Sequence, residues 1–319
     1  MNTAQAAHLP VMLDRVRATF APALEVAGAV LVDATLGRAG HSIALLGDHP
    51  GLTVIGIDAD QTAIEESALV LAAQASRVIL VHGPFDQIPA ILAQRGLATV
   101  QGVLFDLGVS SPQIDNRDRG FSYSADAPLD MRMDRTRTLT AADVVNTYPA
   151  AQLAQVLKEY GEERFARRIA DAVVRERAMT PLTSTLRLAE IVRDAIPAPA
   201  RRTGGNPAKR TFQALRIEVN DELGTLRRGM PAALDAVAVG GRVIVLAYHS
   251  LEDRIVKRAF AQRAVDSTPL GLPVSLPDAA PQFRLLTSGA QRPSEAELAA
   301  NPRAASARLR AAERVRAAA

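Results

Sequence analysis

Two aspartates each end a short apolar run, an arrangement suited to binding a nucleoside or to handling a proton. Asp58 ends "TVIGID" and Asp106 ends "VQGVLFD". At the tip of a buried strand, a carboxylate can accept two hydrogen bonds from a ribose diol. It can also accept a hydrogen bond from an attacking amine, or take its proton. The pattern predicts a ribose contact for Asp58. For Asp106 it leaves two alternatives open, a role in binding or deprotonating an amine and a structural role in fixing its own loop.

The turn that precedes Asp58 contains glycine but lacks the pattern of a dinucleotide site. After the strand-like "LVDA" the chain reads "TLGRAGHS", with Gly37 and Gly40. A pyrophosphate cradle has three spaced glycines before its helix, whereas an arginine and a histidine crowd this turn. S-adenosylmethionine (SAM) has no pyrophosphate. The turn therefore favours SAM over NAD, and Gly40 is expected to open the following helix.

Three side chains have both a functional and a structural interpretation. Asp58 could cap a helix, although Asp60 suits that role better because it directly precedes the helical run. Phe85 follows "VHGP" and could stack on an adenine ring or pack in the core. His249 in "YHSLEDR" could take a proton, because an imidazole titrates near neutral pH, but a lone histidine there is more often a structural hydrogen-bonding group. Its neighbour Glu252 is expected to stabilise the first turn of the next helix.

The elements that position these residues alternate between strand and helix patterns. Four strands are predicted between residues 30 and 108, and a fifth at "GGRVIVLAYHS", with later candidates at 283–288 and 306–315. Alternation at this spacing predicts right-handed crossovers and a doubly wound, parallel α/β sheet. Ligands bind such sheets at the carboxyl ends of the strands.

A helical segment interrupts this pattern after strand four. The sequence predicts one domain from residues 1–110 and 224–319, and a helical insertion domain at 111–223. Arginines cluster in the insertion, which favours binding to nucleic acid phosphates. The candidate phosphate contacts are Arg117, Arg119, Arg132, Arg135, Arg167, Arg168, Arg202 and Arg210. Of these, Arg132, Arg135 and Arg210 are the predicted substrate-binding residues.

Composition narrows the class of protein. The 319 residues include no cysteine, which excludes disulfides, thiolate metal sites and a thiol nucleophile. The five histidines fall in separate segments without ligand spacing, so no metal site is expected. No window resembles a signal peptide or a membrane span, and we expect a cytoplasmic protein without membrane contact. Exposed apolar residues in the insertion leave a homodimer as an open alternative.

Four long blocks resemble the signature of the bacterial RsmH (MraW) family. They are "DLGVSSPQIDNRDRGFSYSADAPLDMRMD", "YGEERFARRIADAV", "RTFQALRIEVNDEL" and "YHSLEDRIVKRAF". The resemblance implies a class I SAM-methyltransferase (Rossmann-like) fold. It also implies methylation of the N4 amino group of a cytidine in the decoding region of 16S rRNA in the small ribosomal subunit.

The resemblance also implies which residues contact SAM and which act on the substrate. The cofactor contacts match Ala39, Gly40, His41, Asp58, Phe85, Asp106 and Gln113. Asp106 and His249 are the catalytic candidates. The chain departs from the family at Ala39, where glycine is usual, so that this backbone must keep a negative φ or bear strain. Ala247 and Tyr248 stand where Ser-Phe is usual.

Rival functions remain at the level of sequence. A DNA amino methyltransferase typically carries an Asp/Asn/Ser-Pro-Pro-Tyr/Phe turn after strand four, where this chain has "DLGVSS". A NAD-dependent dehydrogenase would need the glycine fingerprint. A third alternative is a non-enzymatic RNA-binding assembly factor with a SAM fold. The sequence argues against it only indirectly, because Gly40, Asp58 and Asp106 of the predicted site are intact.

Overall fold

The computed structural model describes residues 10–201, 205–266 and 279–317, and the chain divides into two compact units. Unit 1 comprises Met1–Gly108 and Gly224–Ala319, and unit 2 comprises Val109–Leu223. The predicted insertion at 111–223 occupies nearly the same residues as unit 2. Arg202 and most of the predicted loop at 267–281 lie outside the described residues.

Unit 1 contains a mixed sheet of seven strands within the described ranges. Its order is β3-β2-β1-β4-β5-β7-β6. The first five strands are parallel, whereas β7 runs antiparallel to both β5 and β6. The strands are β1 (Val30–Asp33), β2 (Thr53–Asp58), β3 (Val78–His82), β4 (Val100–Asp106), β5 (Val237–Ala247), β6 (Phe283–Leu285) and β7 (Arg308–Arg314). The doubly wound α/β fold predicted from the sequence is confirmed.

Both faces of the sheet are buried at its central strands β1, β2 and β4, which explains why these strands are mainly apolar. Successive side chains of a strand point to opposite faces. In β4, Val103 and Phe105 belong to one apolar cluster, whereas Leu104 belongs to the other. Helices cover each cluster, so that the sheet forms the central layer of unit 1.

Helices connect the strands of unit 1, and several begin where the sequence indicates. They are α1 (Leu13–Leu24), α2 (Gly40–Asp48), α3 (Gln61–Val70), α4 (Ile88–Ala93), and, later in the chain, α12 (Glu222–Ala236), α13 (Ser250–Arg263) and α14 (Glu295–Ala300). Gly40 opens α2, as expected. Asp60 caps α3 by accepting from the Thr62 amide at 3.1 Å, which confirms its predicted role. Helix α12 begins in unit 2 and continues into unit 1.

Unit 2 is helical and has its own apolar core. Its helices are α5 (Ser111–Asp115), α6 (Ala141–Thr147), α7 (Ala150–Gly161), α8 (Ala166–Arg177), α9 (Thr185–Ala195), α10 (Ala198–Arg201) and α11 (Lys209–Asn220). Leucine, isoleucine and valine side chains from α6 to α9 and from α11 form this core. Leu153, Ile169 and Leu215 are among its fully buried members. The amphipathic pattern of these helices therefore corresponds to packing within the unit.

Two features are absent from the described residues of the fold. No helix in those ranges is both long and apolar enough to cross a membrane. Nor do three or more His, Asp or Glu side chains come together there in a group that could hold a metal ion.

Candidate functional site

Asp58 and Asp106 lie at the same level of the carboxyl edge of the sheet in unit 1. In β1, Asp33 is in register with Gly56 of β2 and with Leu104 of β4. Asp58 lies two residues beyond Gly56, and Asp106 lies two residues beyond Leu104. The two aspartates therefore occupy equivalent positions on either side of β1. Neighbouring strands lie about 4.8 Å apart, which places the two backbones about 10 Å apart. A ligand that crosses the end of β1 could contact both carboxylates.

The carboxylate of Asp58 is held by two backbone amides. Its Oδ2 accepts from Gly37 at 2.7 Å and its Oδ1 accepts from Asp60 at 2.8 Å. Burial raises the pKa of Asp58 to about 6, although these two hydrogen bonds oppose the rise. Each carboxylate oxygen has more than one lone pair, so both can still accept from the hydroxyls of a ribose.

The turn between β1 and α2 adopts left-handed backbone conformations. Gly37 has φ +52°, and Ala39 has φ +58°. An alanine in this region costs roughly 1–2 kcal/mol, so the second of the two expected alternatives for Ala39, backbone strain, is the one found. At Gly40, an added Cβ would lie 2.6 Å from the Cγ of Pro10. Only glycine therefore lets the segment at Pro10 pack against the start of α2.

The carboxylate of Asp106 contacts two other side chains of unit 1. The Tyr248 hydroxyl donates to Oδ1 at 2.6 Å, and Nδ1 of His41 lies 3.7 Å from Oδ2. The backbone amide of Asp106 donates to Oγ1 of Thr35 at 2.6 Å. His41 in turn is buried, with Nε2 at 3.0 Å from the carbonyl oxygen of Val11. A carbonyl only accepts, so Nε2 carries a hydrogen and Nδ1 faces Asp106.

Asp33 is a third acid at this edge that the sequence analysis missed. Its side chain is 2% exposed, and its Oδ2 accepts from the Ser42 hydroxyl at 2.6 Å. Burial raises the pKa of Asp33, and the nearby charge of Asp106 raises it further. The signal was present, because Asp33 ends its strand just as Asp58 and Asp106 end theirs. The contact between Tyr248 and Asp106 has no comparable signal in the sequence.

Phe85 packs in the core of unit 1 and stays partly exposed. Its ring meets that of Phe105 edge to face, with centroids 5.3 Å apart. A Cβ added at Gly229 in α12 would lie 2.6 Å from Cδ2 of Phe85. The structural interpretation of Phe85 is thus confirmed, and stacking on an adenine stays a prediction.

His249 caps helix α13. Its Nδ1 accepts from the Glu252 amide at 3.4 Å, while Oε2 of Glu252 accepts from the amides of Tyr248 and His249 at 2.8 and 3.2 Å. This reciprocal arrangement is a capping box, and it confirms the helix-stabilising role expected of Glu252. Among the described residues, no hydrogen bond joins His249 to Asp106. A catalytic role for His249 therefore stays a prediction without a contact to support it.

Gln113 belongs to unit 2, where it closes a capping box at the start of α5. Its Oε1 accepts from the Ser110 amide at 3.0 Å, and its side chain is 6% exposed. The contact with SAM that the family resemblance implies for Gln113 stays a prediction.

The three predicted substrate-binding arginines of unit 2 have different surroundings. Arg132 pairs with Asp130 at 2.8 Å and donates to the carbonyl of Arg137 at 2.7 Å, so it organises its own loop. Burial alone would raise the pKa of Asp130, yet the hydrogen bonds and charge of Arg132 lower it. Arg135 is exposed, and Arg210 donates to the Glu162 carbonyl at 3.1 Å.

Two of the further arginines proposed as phosphate contacts are exposed on α8, whereas a third is buried. Arg167 and Arg168 are exposed. Arg119 is 5% exposed and donates to the carbonyls of Arg132 and Met133, each at 2.9 Å. This burial excludes a phosphate contact for Arg119 in the present conformation and corrects that part of the prediction.

Comparison with known proteins adds to this geometry. The MraW methylase family profile matches residues 5–315. Ribosomal RNA small subunit methyltransferase H of Thermobifida fusca is 62% identical over 310 residues, covering 97% of this chain and 94% of that protein. The protein of the same name from Saccharopolyspora erythraea is 59% identical over 315 residues, covering 99% and 96%. A solved rRNA methylase from Streptococcus thermophilus is 11% identical with a TM-score of 0.43, covering 94% and 96%.

Proposed function

Because this chain belongs to the MraW methylase family, we propose that it transfers the methyl group of SAM to the N4 amino group of a cytidine in the decoding region of 16S rRNA. The names of its relatives at about 60% identity support ribosomal RNA of the small subunit as the substrate class. The equivalent positions of Asp58 and Asp106 on either side of β1 carry the proposal. A SAM molecule that crosses the end of β1 could place its ribose at Asp58 and its methyl group near Asp106, where the substrate amine would be held.

The residues of unit 1 fit SAM. Its strand order, in which β7 alone of the seven described strands runs opposite to the others, is that of a class I SAM methyltransferase. Asp58 would accept hydrogen bonds from the ribose diol while the amides of Gly37 and Asp60 hold its carboxylate in place. When bound, SAM supplies an electrophilic methyl group on a sulfonium sulfur. The partly exposed ring of Phe85 is the candidate contact for the adenine.

Asp106 is the group that would hold the substrate amine. The amino group of cytosine is a weak nucleophile because its lone pair is delocalised into the ring, so rate depends mainly on holding it in line with the methyl group. A carboxylate at the tip of β4 can accept a hydrogen bond from that amine and stabilise the positive charge that develops on nitrogen. As the new N–C bond forms and the S–C bond breaks, the amine loses a proton to Asp106 or to water.

Arginines of unit 2 are the proposed RNA contacts. The target base must leave its stack to enter a site, and RNA-modifying enzymes choose loops where this costs little. Exposed arginines could bind the surrounding phosphates, and Arg135, Arg167 and Arg168 are exposed in unit 2. A ribosomal substrate also supports the cytoplasm as the location of the protein.

A transfer assay separates this function from its rivals. The protein and radiolabelled SAM are incubated in parallel reactions with one of three substrates. These are unmethylated small ribosomal subunits, free 16S rRNA and double-stranded DNA. We expect label on the N4 position of one cytidine of the rRNA, identified by nuclease digestion and mass spectrometry. Label on DNA alone would favour a DNA amino methyltransferase. Binding of SAM by calorimetry without transfer to any substrate would favour a non-enzymatic assembly factor.

A further inference from the structure

Tyr248 lies next to Asp106 at the carboxyl edge of unit 1. Strand β5 is parallel to β4, with Leu246 in register with Asp106, and Tyr248 is the second residue beyond Leu246. Its hydroxyl donates to Oδ1 of Asp106 at 2.6 Å. This is a short, charge-assisted hydrogen bond, the stronger class of such contacts in proteins.

The tyrosine is fixed at both its backbone and its ring. Its amide donates to Oε2 of Glu252 at 2.8 Å, which ties it to the first turn of α13. Its ring packs against the apolar cluster that contains Leu246 and Leu309. Gly108 has φ +96°, and a Cβ added there would lie 3.6 Å from Cδ2 of the ring. The Tyr248 hydroxyl is therefore held in one position beside the Asp106 carboxylate.

Tyr248 keeps its proton under ordinary conditions. Burial raises the pKa of Tyr248 well above 10, and the negative charge of Asp106 adds to this rise. Glu252 and Glu297 contribute in the same direction. The hydroxyl thus remains a donor, and a donor stabilises the ionised form of the carboxylate that accepts from it.

We propose that Tyr248 is a positioning residue that holds Asp106 ionised and in one orientation for the substrate amine. The inference rests on the proposed function, since it assigns the amine to Asp106. Tyr248 need not touch substrate or cofactor, because it acts through the carboxylate. Without this hydrogen bond the carboxylate of Asp106 would rotate more freely about its Cβ–Cγ bond, so that it would be oriented correctly for the amine less often.

Other charged groups face Asp106 and must be kept constant in a test. His41 of α2 lies 3.7 Å from its Oδ2, and Asp33 at the end of β1 is close enough for its own pKa to respond to Asp106. Glu252 and Glu297 face Tyr248. Tyr248→Phe removes one hydroxyl and leaves these four groups in place, so a change in pH dependence belongs to the bond between Tyr248 and Asp106.

The test compares Tyr248→Phe with the wild type in single-turnover methyl transfer to small ribosomal subunits from pH 5 to pH 9. Loss of a hydrogen bond to a charged acceptor should move the acid limb of the rate upward by about one pH unit. The plateau rate should fall roughly tenfold, with the SAM dissociation constant, measured by calorimetry, within about twofold. Tyr148→Phe is the matched control, because the Tyr148 hydroxyl donates to Oε1 of Glu218 at 2.8 Å within unit 2.

Melting temperature measured against pH gives a readout without catalysis. If the hydroxyl stabilises ionised Asp106, the difference in melting temperature between wild type and Tyr248→Phe should shrink as pH falls and Asp106 becomes protonated. In an Asp106→Asn background that pH dependence should disappear. The proposal would be overturned if the acid limb of the transfer rate did not move or if SAM affinity fell in parallel with the rate. It would also be overturned if the difference in melting temperature did not depend on pH. Wild type that transfers no methyl would instead count against the proposed function, while the melting data still test the bond.

Discussion

The carboxylate of Asp58 and the amide of Gly37 join strand β2 to the turn that follows β1, with 2.7 Å between Oδ2 and the amide nitrogen. The amide of Asp60 binds the other oxygen at 2.8 Å. The two donors set the orientation of this carboxylate before any ligand arrives. Its burial nevertheless raises its pKa to about 6, which makes the site sensitive to mild acid.

SAM affinity should therefore fall as pH falls through about 6. A protonated Asp58 loses an acceptor for the ribose, so affinity should drop by up to about tenfold per pH unit below that point and be constant above about pH 7. Calorimetry in buffers of different ionisation enthalpy should detect a proton released on binding at pH 6. The Asp58→Asn variant should bind SAM weakly and without this pH dependence. A wild-type affinity that is flat from pH 7 to pH 5 would refute the prediction.

The raised pKa of Asp58 affects folding stability in the opposite direction from SAM affinity. The folded-state pKa of Asp58 lies above its ordinary value of 3.8, so the folded state holds this proton more tightly than the unfolded state does. The contribution of Asp58 to the free energy of unfolding should then decrease as pH rises from about 4 to about 6. Urea unfolding of wild type and Asp58→Asn across this range measures it, and the difference between them should change only inside that window.

Replacing Asp106 by asparagine should separate transfer from cofactor binding. An asparagine cannot take a proton from the amine, and loss of a positioned acid-base group typically costs about 100-fold or more in rate. Single-turnover transfer should fall by that amount, while the SAM dissociation constant stays within about threefold. If Asp106 served only to fix its loop, the variant would retain transfer within a few fold of wild type.

Gly229→Ala should displace the ring of Phe85. The added Cβ would lie 2.6 Å from Cδ2 and 2.9 Å from Cε2 of that ring, so the ring or α12 must move. We expect the free energy of unfolding to fall by about 1–3 kcal/mol, as in other overpacked cores. If Phe85 also contacts adenine, SAM affinity should fall with it. Gly47→Ala in α2 is the control, since no atom lies within 4 Å of its added Cβ and the change should stabilise the helix slightly.

Arg135→Ala and Arg132→Ala should both weaken RNA binding but differ in stability. Removing one phosphate contact should weaken binding several-fold and lower the salt-dependence slope by about one. Arg132 also bonds Asp130 and two carbonyls of its own loop, so only its loss should lower the melting temperature. Calorimetry should show unchanged SAM affinity in both variants. An equal loss of RNA and SAM binding would reject the proposed phosphate contacts of these arginines. Arg193→Ala, an exposed residue paired with its neighbour Asp194, is the control.

The sequence allowed the sheet and two of its acids to be predicted because β1, β2 and β4 are mainly apolar runs that each end on an aspartate. Helix α1 went unpredicted, although Val16, Phe20 and Leu24 follow helical spacing. The fifth strand begins at Val237, three residues earlier than expected, because the residues ahead of the two glycines at 240 and 241 also belong to it.

The partners of individual side chains were beyond reach of the sequence. Tyr248 and Asp106 are 142 positions apart, and only the pairing of β4 with β5 brings them together. His249 could be a base or a structural hydrogen-bonding group from its residue type alone. The structure adds that it caps α13, and its catalytic role stays a prediction. The bonds of Arg132 to its own loop were likewise not predictable from the sequence, and its contact with RNA phosphate stays a prediction.

Strand β7 lies between β5 and β6 although it follows both in the chain. As a polypeptide leaves the ribosome, β6 has no strand to pair with until β7 has emerged, so the edge of the sheet closes late. Arg310 of β7 also holds Asp253 of α13 at 2.7 Å, and the neighbouring Glu252 binds the amide of Tyr248. Unit 2, encoded entirely upstream, can fold while the nascent sheet is still open. The edge of the sheet and the contact of Arg310 with α13 are thus completed only after the other six described strands have been synthesised.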